Sequence, residues 1–226
     1  MVASQLVVRA IPPFLLPAEA ERTARQAEGT LDGRELLRAR AMEPAARGRF
    51  LAGRLAQRLF AAELLSIPAA DLTAAYSCPR CGAGADVSHG RPGYSMAARA
   101  LPLALSLSRA AGWTLLAAVT DPGPDLRLGV DIEEPSRAGF AGFSALALTP
   151  AEQHSLEHLA GPGLLAGRAR LWARKEAWLK MTGDGLRTEP AAVDVLQREG
   201  VRDLAPAETG LPAELAAAVA VVVWRR

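Results

Sequence analysis

The sequence predicts an α+β fold, and three observations carry that reading. First, the apolar runs 101–108, 113–120 and 127–133 are separated only by "RAAG" and "DPGPDL". Connections this short join antiparallel strands into a meander, because parallel strands need long crossovers. Second, residues 34–65 are rich in Ala, Leu and Arg and poor in β-branched residues, which is helical texture, with Pro44 marking an early break. Third, "LWARKEAWLKMTGDGL" (171–186) follows a second stretch of helical composition and ends in glycines. Each half therefore combines helix with antiparallel sheet, and the division falls near 120–127.

Between these segments, residues 77–100 hold Gly, Pro and polar residues and read as loop. A helix is expected after Thr149-Pro150-Ala151-Glu152, which has the spacing of a capping box with proline at the first helical position. Another is expected over 164–181, stopping near Gly183-Asp184-Gly185. "AAVDVLQ" (191–197) and "LAAAVAVVVWRR" (215–226) read as closing strands.

Composition narrows the function classes. Half the residues are hydrophobic and 22% are charged, as in an ordinary globular protein, and the formal net charge is only +2. Such a balance argues against a general nucleic-acid binder, although 34–58 is locally basic. The start lacks the pattern of a secretory leader, and the apolar tail 215–223 is too short to span a bilayer. A cytoplasmic protein without membrane contact is the expectation.

"LGVDIEEP" (128–135) packs three carboxylates into four positions. Two like charges about 4 Å apart repel by about 4 kcal/mol at the effective dielectric of a protein surface. Alternation along a strand places Asp131 and Glu133 on one face. Two carboxylates are too few to hold a hard divalent cation, so a third acid or substrate phosphate is needed. Helical spacing puts Trp172, Glu176 and Lys180 on one stripe, with Lys175 beside it. Taken singly, an Asp-x-Glu strand is most often a solvated face, and a Glu–Lys pair four apart an exposed ion pair.

Taken together, "GVDIE" and "WARKEAWLKMTGDGL" resemble the paired signature of the 4'-phosphopantetheinyl transferases, G-[IV]-D-[IV]-E and W-x-x-K-E-[AS]-x-x-K-x-x-G-x-G-L. Upstream, "RFLAGR" (49–54), "HGRP" (89–92) and "SLSRAAGW" (106–113) are similar to weaker family segments. The length resembles the large monomeric type that activates peptide and polyketide synthetases. That resemblance implies two similar α+β subdomains related by a pseudo-twofold axis, 1–122 on the coenzyme A side and 123–226 with the metal and catalytic residues.

It further implies a holo-[acyl-carrier-protein] synthase activity. The phosphopantetheine arm of coenzyme A moves to a serine of an apo acyl or peptidyl carrier protein of polyketide, peptide or fatty-acid synthases, and adenosine 3',5'-bisphosphate leaves. Mg2+, with Mn2+ as an alternative, would be held by Asp131, Glu133 and Glu176. Glu176 is the expected base, Lys180 and Lys175 the expected phosphate partners, and Trp172 a wall of the site. Arg91 and Pro92 match the adenine end. Ser108 and Arg109 match the positions at the 3'-phosphate, with Arg109 replacing the family's histidine; an arginine keeps its charge and can grip phosphate bidentately. Arg34 and Arg49 are further candidates for phosphate.

Two other readings use the same residues: a metal-dependent nuclease or phosphohydrolase, and a non-catalytic module binding coenzyme A or a carrier protein. Cys78-Pro79-Arg80-Cys81 has the spacing of half a zinc site. Zinc in structural sites takes four protein ligands, and His89 would add only one, so a reduced, loop-stabilising pair is the expectation.

Overall fold

A computed structural model describes residues 5–14, 16–78, 80–83, 87 and 89–223. Along the chain run β1 (Leu6–Ile11), α1 (Pro17–Thr30), α2 (Gly33–Arg40) and α3 (Pro44–Leu65). Short strands follow: β2 (Thr73–Ala74), β3 (Ser77–Cys78), β4 (Gly82–Ala83), β5 (Tyr94–Met96) and β6 (Arg99–Ala100). Then come the longer β7 (Leu103–Ala110), β8 (Trp113–Thr120) and β9 (Leu126–Glu133). The chain closes with α4 (Phe143–Ala147), α5 (Pro150–Ser155), α6 (Gly161–Thr182), β10 (Val201–Asp203), α7 (Pro206–Thr209) and β11 (Ala216–Val223).

The protein is α+β, with antiparallel sheets ordered β1-β8-β7 and β10-β11-β9. Both share one connectivity: a first strand, a 22-residue helix (α3 or α6), then two strands, the last of which takes the centre. Proline supplies the N-terminal turn of each long helix, where its missing N–H costs nothing. Facing residues of the two sheets, among them Leu115, Ala117, Val130, Ile132 and Val219, form one apolar core.

Two sequence expectations need correction. The β7–β8 hairpin forms, but β9 does not continue a meander, because β8 already has β1 on its other edge; β9 pairs along its whole length with β11. Residues 191–197 form no strand. A 3-10 turn occupies Pro190–Ala192, and polar side chains of α5 and α6 take up this segment's backbone groups instead: Val195 N–H donates to Glu152 Oε1 at 2.9 Å, and Lys175 Nζ donates to the Pro190 carbonyl at 2.8 Å. The expected capping box is present, with Glu152 N–H donating to Thr149 Oγ1 and Thr149 N–H to Glu152 Oε2.

Helix α6 lies across β9 and β11 at contact distance, and Gly129 sets that distance. A Cβ at Gly129 would stand 2.0 Å from the Ala177 carbonyl oxygen and 2.6 Å from the Met181 nitrogen, both backbone atoms. Only a residue without a side chain lets the helix approach β9 so closely. Gly129→Ala should force α6 outward and lower stability by about 3 kcal/mol, read as a lower urea midpoint with unchanged m-value. Wild-type stability in this variant would refute the close packing.

Candidate functional site

The edge strands β7 and β9 lie side by side, and serine hydroxyls of β7 stitch them. Ser106 Oγ accepts the Val130 N–H at 2.9 Å. Ser108 Oγ donates to Asp131 Oδ1 at 2.6 Å. Alternation along β9 explains the next layer: odd positions 131 and 133 face α6, whose stripe of Trp172, Glu176 and Lys180 comes round every fourth residue. Lys180 Nζ donates to Asp131 Oδ1 at 2.5 Å, to Ser108 Oγ at 2.9 Å and to the Val130 carbonyl at 3.3 Å. Its three protons thus tie α6, β9 and β7 at one point.

Asp131 is 2% exposed, and its Oδ2 is buried with no hydrogen-bond partner in the protein. Burial pushes the Asp131 carboxyl up despite Lys180 and Ser108, which pull it down. Glu133 is pushed up to about 7 by burial and then by the charges of Asp131 and Glu176. Burial and Asp131 raise Glu176 as well. Three acids raised first by burial, two of them also by an acidic neighbour, lack enough compensating positive charge. The donor set is all oxygen, and one buried oxygen is unmet, so these residues fit a hard divalent cation. Their oxygens are not drawn into a tight cage: among the described residues, Cys78, Cys81 and His89 are the group whose donor atoms lie within 4.8 Å of one another.

A cleft of about 420 Å³ opens beside Lys180 and is walled by arginines 38, 54, 91 and 109. Pro92 lines the same wall as Arg91, and Arg91 Nη2 donates to the Met181 carbonyl at 2.5 Å, at the C-terminal end of α6. A cation there meets the negative end of the helix dipole. Arg109 lies with its guanidinium over Gly53, where a Cβ would come within 2.0 Å of Nη2, and beside the charge of Arg49. A second hollow of about 380 Å³ includes Glu133, Trp172, Phe140 and Leu146, and Arg109 lines both. Trp172 packs edge-on to Phe143, with centroids 6.1 Å apart, so it serves both the hollow and the core behind it.

Two expected phosphate ligands lie elsewhere. Lys175 is fully buried, 2.6 Å from Glu152, and also donates to the Pro190 and Val193 carbonyls; its ammonium holds the core behind α6 together. Arg34 is exposed and lines a separate hollow with Asp32 and Thr73. Sequence reading in turn missed Arg54, which is 8% exposed, stacks on the Tyr76 ring at 3.9 Å and has its pKa lowered to about 10 by burial. It also missed Arg38, Tyr76 and Gln57, whose buried Nε2 lines the cleft with no hydrogen-bond partner in the protein. The helical spacing of Phe50, Arg54 and Gln57, four and then three residues apart, was the available signal.

The acid cluster makes stability depend on pH in a definite direction. Glu133 in the folded protein keeps a proton that the unfolded chain releases near its ordinary pKa of about 4.3. Its stabilising contribution is therefore complete below that value and is lost as pH rises through about 7. In chelator, wild type should lose about 1 kcal/mol from this group between about pH 5 and 8, after allowance for solvent screening. Glu133→Gln should flatten the fall, checked by thermal melts across that range. Parallel curves for the two proteins would refute the raised pKa.

No curated protein matches the chain. Residues 127–216 match the model of the 4'-phosphopantetheinyl transferase superfamily, a span that starts within β9, includes α6 and ends at the first residue of β11. Asp131, Glu133, Glu176 and Lys180 all lie within it. This part of the chain, less than half of its length, is therefore similar to the 4'-phosphopantetheinyl transferase superfamily.

Proposed function

We propose that the protein transfers the 4'-phosphopantetheine arm of coenzyme A to a serine hydroxyl of an apo carrier protein, with Mg2+ as the metal, and releases adenosine 3',5'-bisphosphate. One observation carries the reading: an acid cluster on β9 and α6 meets a β7 serine where an arginine-walled cleft and an apolar hollow adjoin. The cleft suits a nucleotide with phosphates at both ends. The hollow suits the neutral pantetheine arm and the approach of the carrier. The halves 1–122 and 123–226 are pseudo-twofold relatives in a large monomeric enzyme; their common strand order and equal long helices support this.

In this reading Asp131, Glu133 and Glu176 would hold the cation, which supplies charge neutralisation at the pyrophosphate when bound. Ser108 and Lys180 fix the Asp131 carboxylate in one orientation. Arg91, Pro92, Arg109 and Arg49 hold the adenine and phosphate end, with Arg38 and Arg54 added from the cleft wall. The serine oxygen of the carrier forms a bond to the phosphorus that bears the pantetheine. The bond from that phosphorus to the bridging oxygen breaks, and the nucleotide departs with the electron pair. Glu176 accepts the serine proton; its raised pKa makes it a better base near neutral pH than an ordinary carboxylate. Lys180 offsets charge on the leaving group. In a cytoplasmic setting the partners would be carrier proteins of polyketide, peptide or fatty-acid synthases.

Incubation with coenzyme A, Mg2+ and apo carrier proteins of each class should add one phosphopantetheine to the carrier, read by mass spectrometry, and chelator should stop it. Asp131→Asn and Glu176→Ala should each slow transfer by about 10³-fold or more while keeping the melting profile of a folded protein. Full activity in both variants would overturn the metal and base assignments. Failure to modify any carrier class would overturn the transfer reading itself.

A further inference from the structure

The cysteine pair sits on a β-turn built like a metal knuckle. Strands β3 and β4 form a two-stranded hairpin in which Cys78 pairs with Gly82. Cys78 ends the first strand, and Cys81 lies in the turn directly before the second. Gly82 takes φ +80°, the left-handed conformation that lets the chain leave the turn straight after the second cysteine.

A third donor arrives from a different segment. His89 Nε2 lies 3.4 Å from Cys81 Sγ, and all three donor atoms fall within 4.8 Å of one another. Tetrahedral zinc, with bonds of about 2.3 Å to sulfur and about 2.05 Å to nitrogen, sets its sulfur and nitrogen donors about 3.6 Å apart. The segment carrying His89 is locked to the hairpin by paired backbone bonds, Arg91 N–H to the Ser77 carbonyl at 2.8 Å and Ser77 N–H to the Arg91 carbonyl at 3.0 Å. Gly90, at φ +90°, allows that contact: a Cβ there would stand 2.2 Å from the Ser77 oxygen. So the histidine is presented to the cysteines by the fold, not by chance of a free side chain.

We propose that Cys78, Cys81 and His89 bind one Zn2+, with water at the fourth tetrahedral position, and that the ion pins the β3–β4 hairpin to the segment that carries Arg91. Soft thiolates and an imidazole select zinc over magnesium, so this site is chemically separate from the all-oxygen cluster on β9 and α6. It departs from the expectation of a metal-free cysteine pair: the three donors counted there lie together in the fold, from separate segments, and water completes the tetrahedron. The inference is independent of the transfer reading, since it concerns what holds one wall of the cleft.

Metal analysis decides it. The full chain, purified without an affinity tag in chelator-free buffer and dialysed, should contain about one zinc per chain. Titration with an organomercurial should release that zinc in step with two thiols, read with a chromogenic zinc indicator. Cys78→Ser/Cys81→Ser should reduce the content to near zero, and millimolar Mg2+ should not displace the ion. Wild type that carries no zinc, that carries iron instead, or that is isolated two hydrogens lighter as a Cys78–Cys81 disulfide would overturn the proposal. So would a double variant with undiminished zinc. Should that variant prove insoluble, the release titration on wild type decides alone.

Discussion

Much of the molecule depends on the ammonium of Lys180 and the carboxylate of Asp131. A carboxylate 2% exposed, in a strand packed under a helix, is tolerable only with charge-assisted hydrogen bonds to offset lost hydration. Lys180 supplies one and Ser108 the other, and the two donors come from opposite halves. Removing one partner of such a pair typically costs about 3–5 kcal/mol, because the survivor is left charged and dry. The contact that stabilises the seam between the sheets is thus the one that orients the acid cluster. Assembly and chemistry draw on the same few atoms.

The compensation is incomplete. One Asp131 oxygen has no partner, and Glu133 is pushed up to about 7 by burial and then by its acidic neighbours. A fold selected for stability alone would place apolar side chains here, as it does across the rest of the sheet interface. The arrangement makes sense as a surface prepared for positive charge, with its electrostatic strain contained by the rigid pairing of β9 with β11 and the close contact of α6 at Gly129.

How much of this was legible in the sequence followed the range of the interactions. Periodicity of two in "GVDIE" and of four in Trp172, Glu176 and Lys180 placed these residues on shared faces, since those patterns are local. The capping box at Thr149 was local too, and it formed. Partner choice was not local. The short connection from β8 to β9 suggested a hairpin, but β1, more than a hundred residues upstream in sequence, already fills that edge of β8. Lys175 looked like a companion to Lys180 because the helix set them close; only Glu152, buried a whole element away, reveals that it faces inward. Arg54 and Gln57 stood in a basic stretch among many arginines; their helical spacing from Phe50 put them on one face, but only the folded cleft shows what that face lines.

The two lysines of the sequence therefore have opposite environments. Lys175 is sealed, with no side-chain surface, whereas the side chain of Lys180 keeps 31% of its surface despite its hydrogen bonds. Every other basic side chain, histidines aside, is an arginine, which acylating reagents do not touch. A mild amine-directed reagent consequently encounters one accessible side-chain amine, seated at the junction of both sheets and the long helix. Among side chains, that leaves a single lysine handle at the point where a reporter group would sense the site most directly.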